Sequence, residues 1–504
     1  MHMHGMLYVM TSAPPTPSSI APDQRWDSRL WAILLVVCGV IFLDALDVSM
    51  VGMSLPSIGS DLGVDISSLQ WVVTGYVLGY GGLLLLGGRT ADLLGRRRVF
   101  LVALGVFAVV SMLSAVVSSP ELLVAARFVK GLAAAFTAPA ALSIITTTFP
   151  EGTHRNRALS IFTTCGASGF SMGLIFGGLL TEFGWRWTFL LPGPVALLIL
   201  LFAIRTIPNS PRDDAAGGYD FPGAISVTAA MLALVYAVVG APQAGWVSAQ
   251  TVGLFALAAV LLVTFVLVER RSSHPLVRLG ILTLAPLRRA NLAILVVFGA
   301  YIAFQFIGTL YMQTLLGWSS FETALGFLPA GLLVAVLSPN AGKLADRIGT
   351  GRMIVLGMSM FVAAYALALR IGSEPAYLST VLPTMLLVGL GFAITFPALN
   401  IQATAGVEDH EQGLASGLLS TSAQVGGAIV LAVVTAVIDS QSRGITAPTE
   451  MMSAYRPGLF VVAGVALLGL LVSLPGLIRR STESPATDAG ELDEPLLDEL
   501  TPAA

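Results

Sequence analysis

Gly88-Arg-Thr-Ala-Asp92-Leu-Leu-Gly95 and Gly342-Lys-Leu-Ala-Asp346-Arg-Ile-Gly349 are two copies of one pattern, G-x-x-A-D-x-x-G, each standing where a hydrophobic segment ends. The first runs into Arg96, Arg97 and Arg98; the second is followed by Arg352. Copies this far apart, at matching positions in two apolar halves, predict a membrane bundle that has been duplicated. Repeated bundles enclosing a site near the bilayer midplane are how secondary transporters are built. Transport is therefore the first expectation.

Composition points the same way. Hydrophobic residues make up 55% of the 504-residue chain and charged residues 11%, against roughly 25% charged in an ordinary soluble domain. A net charge of −3 with no dense basic face gives no reason to expect a nucleic-acid partner. Cys38 and Cys165 lie inside apolar runs and read as small hydrophobes. The histidines, at 2, 4, 154, 274 and 410, all fall outside the apolar stretches, so neither a metal site nor a histidine relay is expected. No phosphate-cradling G-x-x-x-x-G-K-[ST] and no nucleophile constellation occurs, so no enzymatic activity is expected.

A span needs about 20 mostly apolar residues. Fourteen are predicted: 30–54, 69–88, 98–118, 121–143, 158–180, 187–206, 221–240, 249–269, 290–313, 322–341, 352–371, 376–399, 413–438 and 456–478. The fold class expected is all-α and integral to the membrane. It has a six-helix bundle at 30–206, a linker with two extra helices at 207–289 and a second six-helix bundle at 290–478. Residues 1–29, rich in Pro, Ser and Thr, and the acidic stretch 479–504 read as solvated tails, and the first carries no signal-peptide pattern. Lysine and arginine set the orientation. With the N-terminus inside, 20 of the 26 basic residues are on the inner side, and Arg186, Arg370, Arg443 and Arg456 are outside. Both termini and both octapeptides are then cytoplasmic.

Several stretches together carry a family resemblance. They are the two octapeptides, Leu46-Asp47-Val-Ser-Met-Val-Gly-Met-Ser-Leu-Pro56, Leu69-Gln-Trp-Val-Val-Thr-Gly-Tyr76, Trp185-Arg-Trp-Thr-Phe189, Glu269-Arg-Arg-Ser-Ser-His-Pro-Leu276 and the glycine-rich run from Gly413 to Gly427. From about residue 30 to 478 the chain resembles the fourteen-helix drug:proton antiporters of the EmrB/QacA type in the major facilitator superfamily. The resemblance implies two rocking bundles and proton-coupled efflux of hydrophobic or cationic drugs from a bacterium. It also implies a gating loop at Gly88, Asp92, Gly95, Arg96 and Arg97, and a second at Gly342, Asp346 and Gly349. No cofactor beyond the proton gradient and no periplasmic adaptor is implied. Gly169, Gly173, Gly177 and Gly178 match the antiporter signature, but Leu174 stands in place of its proline. That departure keeps uptake or facilitated movement of a small metabolite as the alternative.

Ionisable residues at membrane depth are costly, and they usually face a bundle interior in pairs. Asp44 and Asp47 in the first span and Arg127 and Lys130 in the fourth stand well inside. Counting from Pro56 and Glu121, Asp47 and Lys130 each lie ~13 Å deep, Arg127 ~9 Å and Asp44 ~18 Å. Acids and bases at overlapping depth on antiparallel helices are expected to neutralise one another and to serve proton coupling. By resemblance Asp47 and Arg127 fill family positions, and the coupling expected is proton flow through Asp47 with Arg127 supporting it, while Asp44 and Lys130 are additional. Gln70, Trp71, Tyr76, Gln305, Gln313 and Gln402 are expected along the substrate pathway, because polar and aromatic side chains inside spans suit a cavity wall.

Overall fold

The computed structural model describes residues 26–150, 153–209, 220–272, 279–372, 377–407, 412–442 and 451–475. Among them the chain forms helices and no strand. The first half contains α1 (Ser28–Leu62), α2 (Ile66–Leu94), α3 (Arg96–Ser114), α4 (Pro120–Thr148), α5 (Thr153–Glu182), α6 (Arg186–Leu190) and α7 (Pro192–Thr206). A hairpin of α8 (Phe221–Ala244) and α9 (Ala249–Arg271) follows. The second half contains α10 (Ala285–Leu310), α11 (Ser320–Leu337), α12 (Ala341–Ile348), α13 (Thr350–Ala368), α14 (Leu382–Thr404), α15 (Gln412–Ser442) and α16 (Met452–Ser473).

Local chemistry sets where these helices begin and end. Asp27 accepts from the Leu30 amide at 2.7 Å, Asp65 from Ser68 at 2.9 Å and Ser119 from Leu122 at 3.3 Å. Each is a side-chain cap for an otherwise orphaned amide. Ser319 and Glu322 form a reciprocal capping box at the start of α11. Both octapeptides end on a glycine with positive φ, 92° at Gly95 and 82° at Gly349. A side chain is strained there, so glycine is what lets each loop turn directly into the next helix.

Thirteen helices or helix continuations among the described residues are long and apolar enough to cross a membrane. The 29-residue α2, packed along α4, is a further long helix rich in apolar residues. Every predicted span falls on one of them. The edges differ by several residues, however, and the two depths counted from Pro56, those of Asp44 and Asp47, start from inside a helix. Pro56 does not end the first helix; it lies inside α1, which continues to a cap at Gly63. A proline there removes one ladder bond, and the apolar residues beyond it still bury, as Ile58 does.

The halves repeat one packing plan. In the first, α1 lies along α5, α2 along α4, and α3 against α4 and α7. In the second, α10 lies along α15, α11 along α14, and α13 against α14 and α16. The halves meet through α5 on α11 and α2 on α15, and α8 of the hairpin rests on both α2 and α15. The tails predicted at 1–29 and 479–504 lie outside the described residues, apart from 26–29.

Candidate functional site

The four span charges come together, but not as two matched pairs. Asp47 takes both cations: Arg127 donates to one carboxylate oxygen at 2.6 Å and Lys130 to the other. All three side chains are buried. Arg127 also donates through Nε to the Val72 carbonyl at 3.0 Å, and its guanidinium stacks 4.6 Å from the Tyr76 ring centroid. Lys130 donates to Ser111 Oγ at 3.0 Å, and Ser111 donates on to the Phe189 carbonyl at 2.7 Å. Phe107 and Phe189 face the ammonium at 4.7 and 5.6 Å. Asp44 stands apart, accepting a 2.6 Å hydrogen bond from the Tyr76 hydroxyl. No salt bridge to Asp44 forms among the described residues.

Glycines bring the helices close enough for this. A Cβ at Gly169 would meet the backbone of Phe42, one at Gly173 the backbone of Leu46 and Ser49 Oγ, and one at Gly177 the backbone of Met50. Three signature glycines therefore seat α5 on α1. Gly178 turns to the other half, against Ser320 and Ala324 of α11. Leu174 is buried beside them.

Across the interface the second half presents aromatic rings. Phe298 and Tyr301 on α10 meet Phe392 and Phe396 on α14, and Tyr301 meets Phe170 of α5 across the bundle boundary. Neighbouring centroids among these five rings lie 5.3–6.1 Å apart. All five are half-buried, whereas Phe304, Phe361 and Tyr365 behind them are buried. Asp44 and Tyr301 each lie about 24 Å along their helices from the octapeptide end, at ~1.5 Å per residue. The charges and the aromatic wall thus stand at one level.

The residues expected along a pathway divide differently. Tyr76 belongs to the charge cluster. Gln70 is fully buried; it accepts from Thr435 of α15 and donates to the Val239 carbonyl of α8 at 3.3 Å. Gln313 donates to the Met53 carbonyl at 3.0 Å and accepts from Ser320 at 3.3 Å. Both glutamines are joints between helices, and both lie toward the end opposite the octapeptides. There the amide of Phe321 also donates to Glu182 at 3.2 Å. Trp71 packs on Tyr236 of α8 at 5.5 Å. Gln305 is buried against Gly52, and Gln402 is half-buried near the octapeptide end of α14.

At the octapeptides, Arg97 donates to Asn209 and, at 2.7 Å, to the Ile204 carbonyl, which ties α3 to the end of α7. The Asp92 side chain lies outside the described residues. Asp346 is exposed, and the space around Gly342 and Gly349 is open, whereas Gly88 sits 3.7 Å from Pro139 measured from a built Cβ. Ser111 and these five rings are not among the residues expected from the sequence, where Trp71, Phe304 and Phe306 suggest an aromatic wall. The signals were present as one of the few polar residues in the third span and as rings at i, i+3 on α10 and i, i+4 on α14.

A buried ion cluster in one half, an aromatic wall in the other and a repeated helical plan define a membrane transporter. The chain belongs to the Major Facilitator Superfamily, whose family model matches residues 37–431. It is 38% identical over 442 residues to the puromycin resistance protein of Streptomyces alboniger, covering 86% of each chain. It is 35% identical to the cephamycin export protein of Amycolatopsis lactamdurans, covering 89% of this chain and 93% of that one. An uncharacterized MFS-type transporter of Mycobacterium tuberculosis is 32% identical, with 95% and 94% covered. Among solved structures, the POT family transporter PepTSo superposes with a TM-score of 0.65 at 16% identity, over 91% of this chain and all of that one.

Proposed function

We propose that this transporter expels hydrophobic or cationic drugs and antibiotics across a bacterial plasma membrane in exchange for protons. The observation that carries the reading is the buried Asp44–Tyr76 and Arg127–Asp47–Lys130 cluster standing level with the aromatic wall. Buried carboxylates among cations give a proton somewhere to sit, and half-buried rings give a flat or amphiphilic cargo a surface to stack on. Relatives named for puromycin resistance and cephamycin export support outward movement of antibiotics.

In this reading both termini and the octapeptide end face the cytoplasm, as the distribution of lysine and arginine supports. Cargo enters from that end while Gln70, Gln313 and Glu182 hold the opposite end closed. Rocking of the two halves breaks these ties and opens the outer side, with Gly95 and Gly349 as the turns on which the octapeptide loops move. The proton gradient supplies the energy.

Proteoliposomes holding an imposed pH gradient test this. Addition of a cationic or neutral drug is expected to collapse the gradient. Drug movement with no accompanying proton movement, over the whole panel, would sink antiport.

A further inference from the structure

We infer that Asp44, and not the ion-paired Asp47, is the acid that takes up and gives off the coupling proton, and that Tyr76 sets when it does so. This rests on the proton-coupled reading above. Two aspartates one helical turn apart have been given opposite surroundings. Asp47 is 0% exposed and has a cation on each oxygen. Protonating it would neutralise the one carboxylate in contact with Arg127 and Lys130 and leave two buried cations facing a neutral acid, an unfavourable arrangement. Lys130 is in turn held by Ser111, itself anchored on the Phe189 carbonyl, so its ammonium has a second fixed partner. Asp47 therefore works as a fixed counterion that positions both cations.

Asp44 is built to change state. It retains 9% exposure, and its hydrogen bond comes from a neutral hydroxyl at 2.6 Å. The titratable groups around it are Tyr76 and Tyr80 of α2, Arg127 and Lys130 of α4 and Asp47 on α1 itself; α5 presents Gly166 and Gly169 on the neighbouring face of α1. Arg127 and Lys130 make their direct contacts with Asp47, and act on Asp44 only from a distance. The proton balance is simple. A proton arriving from the outer side binds the free oxygen of Asp44, while Tyr76 continues to donate to the other. The approach of a cationic or polarised drug from the cytoplasmic side stabilises the carboxylate, and the proton leaves to water. Tyr76 couples the two aspartates, because the same ring that donates to Asp44 carries the Arg127 guanidinium on its face.

The test joins spectroscopy to transport. Infrared spectra of the purified protein over a pH titration are expected to show a protonated-carboxyl band that disappears on alkalinisation, is missing in Asp44→Asn, and has its midpoint moved in Tyr76→Phe, which loses the hydroxyl donor to that carboxyl. In proteoliposomes, Asp44→Asn is expected to abolish drug-driven proton release. The assignment is overturned if the band survives in Asp44→Asn, or if that variant still releases protons with drug. A native protein that moves drug without releasing protons overturns the antiport reading itself, an outcome visible without any variant. Tyr76→Phe keeps the assignment falsifiable should Asp44→Asn not fold, since an unmoved titration midpoint contradicts it.

Discussion

In the first half α1 and α5 close on Gly169, Gly173 and Gly177, and their counterparts α10 and α15 close in the same way on Gly299 and Gly426, where a Cβ would strike the Val430 side chain and the Leu295 carbonyl. What the two seams support is not alike. Beside the first stand two acids and two bases; beside the second stand Phe298, Tyr301, Phe392 and Phe396, with no charge among them. Duplication preserved what sterics demand, helix contact through glycine, and left the chemistry free to diverge. The division has a physical logic. An ion cluster in low dielectric tolerates little displacement, because each lost partner strands a charge. Ring stacking is worth less per contact and accepts many shapes. One half can therefore hold the proton site while the other accommodates varied cargo.

The comparison breaks most visibly at Asp47. Asp47→Asn leaves two buried cations facing a neutral amide, and a loss of about 3–5 kcal/mol is expected, read from thermal or denaturant melting of the purified protein. Adding Lys130→Met should restore part of it, because the surplus cation goes too. A single variant as stable as the native protein would show that the cluster is hydrated and not a rigid ionic core. Next come the seams. Gly173→Leu and Gly426→Leu each force a side chain into backbone, and over-packing costs about 1–3 kcal/mol or more. Comparable losses are expected in both, and a tolerant Gly426→Leu would mean the second seam is not the equivalent of the first.

Much of this was legible in the sequence, and the reasons differ by feature. The spans could be read because each is a run of apolar residues near the length a bilayer needs, and the repeat because Gly95 and Gly349 sit at the same turn. The quartet of charges could be read because ionisable residues within spans are rare. Which acid meets which base could not: i, i+3 spacing fixes a helix face, not the rotation of α1 against α4, and the hydroxyl on Asp44 comes from a third helix. Gln70 and Gln313 looked like pathway residues because a polar side chain in a span suits a cavity and a helix joint equally well; only the positions of Thr435 and Met53 separate the two. Which rings form the aromatic wall was hidden in a chain with 24 phenylalanines.

A smaller effect sharpens the division of labour. Phe392 touches Phe298, Tyr301 and Phe396, so Phe392→Ala opens the centre of the wall. Aromatic pairs contribute about 0.5–1.5 kcal/mol each beyond simple burial. Affinity for planar drugs, measured by fluorescence titration, is expected to fall by up to about tenfold. The number of protons released per drug should not change. A variant that loses protons but not affinity would reverse the roles assigned to the halves.

The smallest expected effect lies where the halves touch. Gln70 is in the first half, yet its partners are Thr435 of the second half and Val239 of the hairpin. In the proposed cycle it therefore links three bodies that must separate for the outer end to open. An interhelical hydrogen bond in a membrane averages about 0.6 kcal/mol and reaches about 1.7. Gln70→Ala should accordingly shift the balance toward the outward-open form by roughly threefold, with a ceiling near twentyfold. Spin labels at the outer ends of α2 and α15 read that shift directly as a growing long-distance population. Gln313→Ala removes a tie between π-turn residues after α10 and the Met53 carbonyl of α1, with no contact to the hairpin. If both variants open the outer end equally, the hairpin is a passive neighbour. If Gln70→Ala opens it further, α8 is part of the lock, and two helices inserted between the repeats have become a third partner in closing them.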